Sequence, residues 1–307
     1  MNFSLNKPGY FFFLLCCTRR ILLLVKCFCQ YRIIYHRDDS PDSDIIYIGQ
    51  GDNSEYICSL LNLKIVEKKR VYFPFWLRKI SSYNNAKYLL ILEVNRTLSF
   101  MFRNRFIEWP ILVRHKLSLS SDSYKSRITS IEASYGRYTR RNNASYDFSD
   151  STDDMIKYYN EYYKPYAEFR YGKNARIHSY DAFMKNYSKL LLLKVYDDNG
   201  WQSGGIIKRK GSTATLLNIG LKSDYLRNLK KGYLSSVYYF LIRWCKENKI
   251  DIIDLTRSRP LRDNGVFQHK QNWGAEYYID PWPHTSFFIP KNSGLLQLRE
   301  LRSIIIK

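Results

Sequence analysis

The chain has 307 residues, 45% of them hydrophobic and 25% charged, with 27 Tyr, 17 Phe and 6 Trp against only 14 Gly and 9 Pro. That composition excludes a disordered, collagen-like or low-complexity chain and fits one large globular domain or two smaller ones. Forty-nine Lys+Arg against 28 Asp+Glu leave a net charge of +21, split as +10 over residues 1–150 and +11 over 151–307. An evenly basic surface favours anionic partners such as nucleic acid, phosphorylated cofactors or anionic lipid, without choosing among them.

Residues 10–35 open the chain with YFFFLLCC, Thr18-Arg19-Arg20, ILLLV and Lys26. The first apolar run is too short to span a bilayer, and the cations interrupt any signal-peptide core. The stretch reads as an apolar helix with a basic edge, either packed on the protein or lying on an anionic membrane surface. Six cysteines without a CxxC indicate buried thiols in a reducing, cytoplasmic setting. After the acidic loop HRDDSPDSD (36–44), IIYIG (45–49) reads as a buried strand. Asn53 caps a helix to Leu61, and KYLLILEV (87–94) is a second strand. Gly49-Gln50-Gly51 lacks the third glycine of a dinucleotide fingerprint and reads as a tight turn.

The second half is patterned more sharply. SYDFS (145–149) alternates as a strand. TDDMIKYYNEYYKPYAEFRYG is a tyrosine-rich helix that Pro165 must kink or divide and Gly172 ends. Ser179 and Asp181 begin another helix. LLLLKVY (190–196), GGIIKRK (204–210) and STATLLNIGL (212–221) form a meander through turns at 197–200 and 210–211. A helix at 233–248 buries Val237, Phe240, Leu241, Trp244 and Cys245, then IDIIDL (250–255) is a buried strand. AEYYIDPWPHTSFFIP (275–290) supplies two closing strands. Antiparallel strands passing through one helix into a further strand do not make a doubly wound sheet.

No GxxxxGK[ST], HExxH or GxSxG occurs, and the five histidines never fall at i, i+4, so no metal site is signalled. The informative stretch is 226–276, with WCKENK (244–249), DIIDL (251–255), Arg257-Ser258-Arg259-Pro260, Asp263-Asn264-Gly265 and HKQNWG (269–274). Over these residues the sequence resembles the Fem-type and GNAT-like acyltransferases. It departs at Thr256, where the family commonly has glycine, and at His269, commonly aromatic.

The resemblance implies an α+β, GNAT-like fold, with an N-terminal β-α-β region that is a candidate degenerate second copy. The expected division is 1–35, 36–125 and 126–307. It implies transfer of an acyl group from acyl-CoA, as co-substrate rather than tightly bound cofactor, to an amine or hydroxyl of a cell-envelope or polysaccharide precursor. The alternatives are an aminoacyl-tRNA donor, a non-catalytic scaffold and a basic nucleic-acid-binding protein. Peripheral membrane contact would run through residues 10–35.

Lys230, Lys231, Gly232, Tyr233 and Leu234 stand where a strand turns into a helix. Backbone N–H groups beside two cations form an anion site there, and the resemblance assigns it to the donor's pyrophosphate. By the same resemblance Lys270 stabilises charge on the acyl carbonyl or donor phosphate. Asp254 either pairs internally with Arg257 or Arg259 or serves as general base, and Asp263 is a turn residue or a base. Arg140 and Arg141 could meet an anionic substrate or line a solvated loop. Ser258, Asn264 and Arg257 belong to the motif as candidate substrate contacts, and Trp273 is either packing or such a contact.

Overall fold

The computed structural model describes residues 29–37, 44–49, 53–61, 63–72, 88–102, 104–172, 175, 177–279 and 285–291. Thirteen strands lie among the described residues: β1 (Cys29–Arg37), β2 (Asp44–Gly49), β3 (Leu63–Tyr72), β4 (Tyr88–Asn95), β5 (Phe106–Pro110), β6 (Val113–Ser118), β7 (Ser145–Ser149), β8 (Leu191–Asp197), β9 (Gly200–Lys210), β10 (Thr213–Leu221), β11 (Ile252–Ser258), β12 (Glu276–Tyr278) and β13 (Thr285–Pro290). They form a six-stranded sheet, β3-β1-β2-β4-β13-β5, and a seven-stranded sheet, β12-β6-β11-β10-β9-β8-β7. The chain divides into two compact units: residues 1–113 with 259–264 and 279–307, and residues 114–258 with 265–278. The first boundary therefore falls at 113/114 rather than 125/126, and residues 279–307 join the first unit, not the second.

In the first unit β2 and β4 run parallel while β1 pairs antiparallel with both β2 and β3. The expected helix over 10–35 is corrected at its end, because Cys29–Arg37 is a strand; residues 10–28 lie outside the described residues. Alternating and β-branched side chains suit Cys29–Arg37 to a sheet that buries Ile33. The apolar runs of β2 and β4 are buried on both faces, as expected of strands inside a mixed sheet. β13 inserts between β4 and β5, placing Phe287 beside Tyr47 and Trp109. The two closing strands expected at 275–290 thus belong to different sheets.

The second unit carries the meander. β7, β8, β9 and β10 are antiparallel in turn, and β10 then pairs parallel with β11 across the helix Tyr233–Glu247. That helix buries Val237, Phe240, Leu241 and Cys245 against the sheet, as its 3.6-residue periodicity dictates. On the tyrosine-rich helix Thr152–Tyr171, residues Tyr158–Tyr163 widen into a π turn just before Pro165. A π turn relieves the missing proline N–H and is a frequent companion of functional sites. Gly204 and Gly220 let this turn approach the sheet: a Cβ at Gly220 would stand 2.8 Å from the Tyr162 backbone and 2.9 Å from the Tyr158 ring. Such an order, an antiparallel meander followed through a helix by one parallel partner, is the GNAT-like α+β arrangement. Among the described residues no helix is long and apolar enough to cross a membrane.

Candidate functional site

β10 and β11 are paired only at Thr213↔Ile252, Ala214↔Ile253 and Thr215↔Asp254. Beyond that point they part, and on its other side β10 shifts register against β9 between Leu216 and Asn218. A bulge bends the strand that carries it and turns it away from its neighbour. The opening holds a cavity of about 230 Å³, lined on one side by Leu216, Leu217, Asn218 and Ile219 and on the other by Leu255, Thr256 and Arg257. Tyr163, Tyr166, Arg170 and Tyr171 reach it from the kinked helix, Leu234 and Tyr238 from Tyr233–Glu247, and His269 and Lys270 from the helix Gly265–Asn272.

Lys270 is 3% exposed and donates from Nζ to the Arg257 carbonyl at 3.0 Å. Burial pushes its ammonium down to about 7, partly offset by the charge of Asp254 and reinforced by that of Arg170. Close to neutral pH it therefore exists in both protonation states. His269 is held neutral, its pKa lowered to about 4 by burial and by Arg170 and Lys270. Its Nε2 accepts from Trp273 Nε1 at 3.1 Å, which places the ring proton on Nδ1.

Asp254 ends the paired part of β11, but its cation is Arg114 of β6, 140 residues away, rather than the expected Arg257 or Arg259. Arg114 Nε donates to Asp254 Oδ2 at 2.9 Å, its Nη2 closes a second contact on the same oxygen, and Oδ1 accepts from the Thr256 N–H at 2.8 Å. Both carboxylate oxygens are committed, and Asp254 is not among the residues lining the cavity. It organises the strand end and is not placed as a base.

Thr256 sits in the left-handed region at φ 60°. A β-branched residue is strained there, which explains why glycine suits the position in the resembled family. Threonine holds this left-handed conformation at a cost in backbone energy. Thr256→Gly is expected to raise stability by about 1 kcal/mol, the strain relieved less the entropy glycine adds to the unfolded chain, read as a higher denaturation midpoint at unchanged m-value.

The other expected residues scatter. Leu234 lines the cavity, but Lys230 and Lys231 line a second hollow with Tyr138, Arg141, Asn142, Asp224, Leu226 and Arg227. Between them Gly232, at φ 81°, caps the helix Tyr233–Glu247, and the buried Tyr233 donates its hydroxyl to Asp197. Arg140 and Arg141 form the last turn of the helix Asp122–Arg141, where Arg140 is exposed. Ser258 is corrected from substrate contact to internal partner: it is buried, its Oγ 2.7 Å from His115 Nε2. Trp273 is likewise core, stacked on Tyr135 at 4.3 Å and Tyr238 at 5.5 Å. Asp263 and Asn264 belong to the segment of the first unit at 259–264, with Asp263 exposed in a turn. Sequence reasoning missed Arg114, Arg170 and His115. Arg114 alternates with the buried Val113 and His115 in β6, a pattern that marks it as facing the other side of the sheet.

No family model matches the chain, and neither does any curated protein. Among solved structures it is similar to L-PGS from Bacillus licheniformis, at 10% identity over 91% of this chain and 87% of that one, with a TM-score of 0.42. FemX is similar at 12% identity over 88% and 86%, with a TM-score of 0.44. A GCN5-related N-acetyltransferase from Sphaerobacter thermophilus is similar at 7% identity over 86% and 77%, with a TM-score of 0.37. These are likenesses of fold, of the GNAT-like and Fem type. Among the described residues no group of His, Cys, Asp or Glu is placed to hold a metal.

Proposed function

We propose that the second unit is an acyltransferase that moves an acyl group from an acyl-CoA to an amine or hydroxyl acceptor, as a peripheral enzyme of envelope or polysaccharide assembly. The observation that carries this reading is the parting of β10 and β11 beyond Thr215. A strand that loses its neighbour leaves backbone N–H and C=O groups to be satisfied, and an extended arm bearing amides can complete it as an added strand would. The thioester end of such an arm would lie among Thr256, Arg257 and Lys270. Its phosphates would meet the start of the helix Tyr233–Glu247, whose first N–H groups have no acceptors within the helix, beside Lys230 and Lys231.

In the proposed reaction the acceptor nitrogen or oxygen attacks the thioester carbonyl. Neutral Lys270 takes the proton released, and the resulting ammonium stabilises the oxyanion. As the carbon–sulfur bond breaks, the same proton goes to the departing thiolate, giving acylated acceptor and free CoA thiol. No cysteine or serine lines the cavity, which supports direct transfer without a covalent intermediate.

The test is isothermal titration of acetyl-CoA and of a charged tRNA, each at two salt concentrations. Acetyl-CoA is expected to bind, and the double change Lys230→Ala/Lys231→Ala to weaken it by roughly 1–3 kcal/mol at low salt and by less at high salt. Steeply salt-dependent tRNA binding with no heat from any CoA thioester would replace the donor by an aminoacyl-tRNA.

A further inference from the structure

The cavity has a charge that donor binding does not use. Arg170 projects into it from the end of the kinked helix, and no carboxylate is among the residues that line it. Its guanidinium is held by neutral rings: Nη1 donates to the Tyr166 hydroxyl at 2.8 Å, and Cζ lies 5.9 Å from the Tyr166 ring centre and 5.6 Å from that of Tyr171. Phenols orient a cation without cancelling its charge. Asp254, the carboxylate whose field reaches Lys270, is already neutralised by Arg114. A guanidinium held by neutral rings at the cavity, with no acidic partner among the described residues, leaves an uncancelled positive charge for an anion to face.

Building on the acyltransferase reading, we propose that the acceptor carries an anionic substituent, a carboxylate or a phosphate, which Arg170 grips while the amine or hydroxyl is presented to the donor. The planar fork suits either anion, since both offer two oxygens at matching spacing. Arg170 enters from the helix Thr152–Tyr171 and Lys270 and His269 from the helix Gly265–Asn272, so the anion and the reacting atom would share one cavity but be met by different elements. The neutral part of the lining, which includes Tyr163, Leu217, Asn218 and Tyr238, suits a short uncharged spacer.

Three small amines separate the possibilities: O-phosphoethanolamine, glycine and ethanolamine carry a phosphate, a carboxylate and no anion. Their binding to the full-length protein is measured by ligand-observed NMR, with acetyl-CoA titrated separately. At least one anionic amine is expected to bind about tenfold or more tightly than ethanolamine, and which one identifies the source of the charge. Arg170→Gln should abolish the preference, and Arg170→Lys should retain part of it. Equal binding of all three, binding by none, or a preference that survives in Arg170→Gln overturns the proposal. Because this readout needs no acyl donor, absence of acetyl-CoA binding bears on the donor reading alone.

Discussion

Lys270→Met should lower turnover by about 10²–10³ while making the protein more stable. The rate loss is that of removing one group that both takes a proton and stabilises developing charge. The gain in stability follows from linkage. A folded-state pKa lowered from 10.5 to about 7 means that below pH 7 the buried ammonium is carried at full cost. That cost shrinks as pH rises from about 7 toward 10.5, where the unfolded lysine also loses its proton. A shift of that size corresponds to about 4–5 kcal/mol, from which the unsatisfied Arg257 carbonyl takes back about 1–3. Methionine is therefore expected to gain roughly 1–4 kcal/mol at pH 6. Its stability profile should be flatter than the wild type's between pH 7 and pH 10. Chemical denaturation at several pH values measures the first effect. The wild-type pH–rate profile supplies the second check, with activity rising through about pH 7 as Lys270 becomes able to accept a proton. Unchanged turnover in the variant would remove Lys270 from the reaction.

The second large effect concerns Arg114. Removing it by Arg114→Met leaves Asp254 in a mostly buried position with only the Thr256 N–H as partner. Breaking a buried ion pair on one side costs about 3–5 kcal/mol, and the partial exposure of this one places the expected loss near 3. Replacing both partners, Arg114→Met with Asp254→Leu, should recover most of the stability, since no charge is then stranded. Yet the double variant should remain a poor enzyme. Asp254 also fixes the Thr256 backbone, and with it the strand end that Lys270 and Arg257 share. A double variant that is stable and fully active would reduce the pair to scaffolding. Equilibrium unfolding and steady-state rates on the wild type, the single and the double variant decide between these outcomes.

Elements with one clean period and strong punctuation were legible from sequence alone. The meander over 190–221, the helix Tyr233–Glu247 and the interruption of regular helix just before Pro165 are examples, because turn chemistry and burial there agree locally. The stretch from 96 to 141 was not. Its helix, Asp122–Arg141, is largely exposed, burying Tyr124, Ile131, Gly136 and Thr139, so its apolar stripe is too thin to stand out. Lys270 was visible through family resemblance, but its burial was not, since eight-residue helices reveal little about which side faces a cavity. Arg114 as partner of Asp254 could not be read at all: the pair depends on β6 lying beside β11, and strand order is a property of the whole sheet. The left-handed Thr256 was signalled only by the glycine expected there, which identifies a backbone requirement without saying that threonine would meet it.

The placement of β13 bears on how this protein is made. The six-stranded sheet is mostly encoded by residues 29–110, yet the strand between β4 and β5 comes from Thr285–Pro290. During synthesis the chain must carry two unsatisfied inner edges, flanked by some of its most apolar segments, until nearly 180 further residues have emerged. Exposed edges of this kind recruit other strands, and long-range closure is slow. The second unit, whose meander is local, can meanwhile acquire its structure first. Folding would then run against the order of translation, with the later-made unit mature before the earlier one closes. The N-terminal half would be the part most dependent on chaperones at the ribosome.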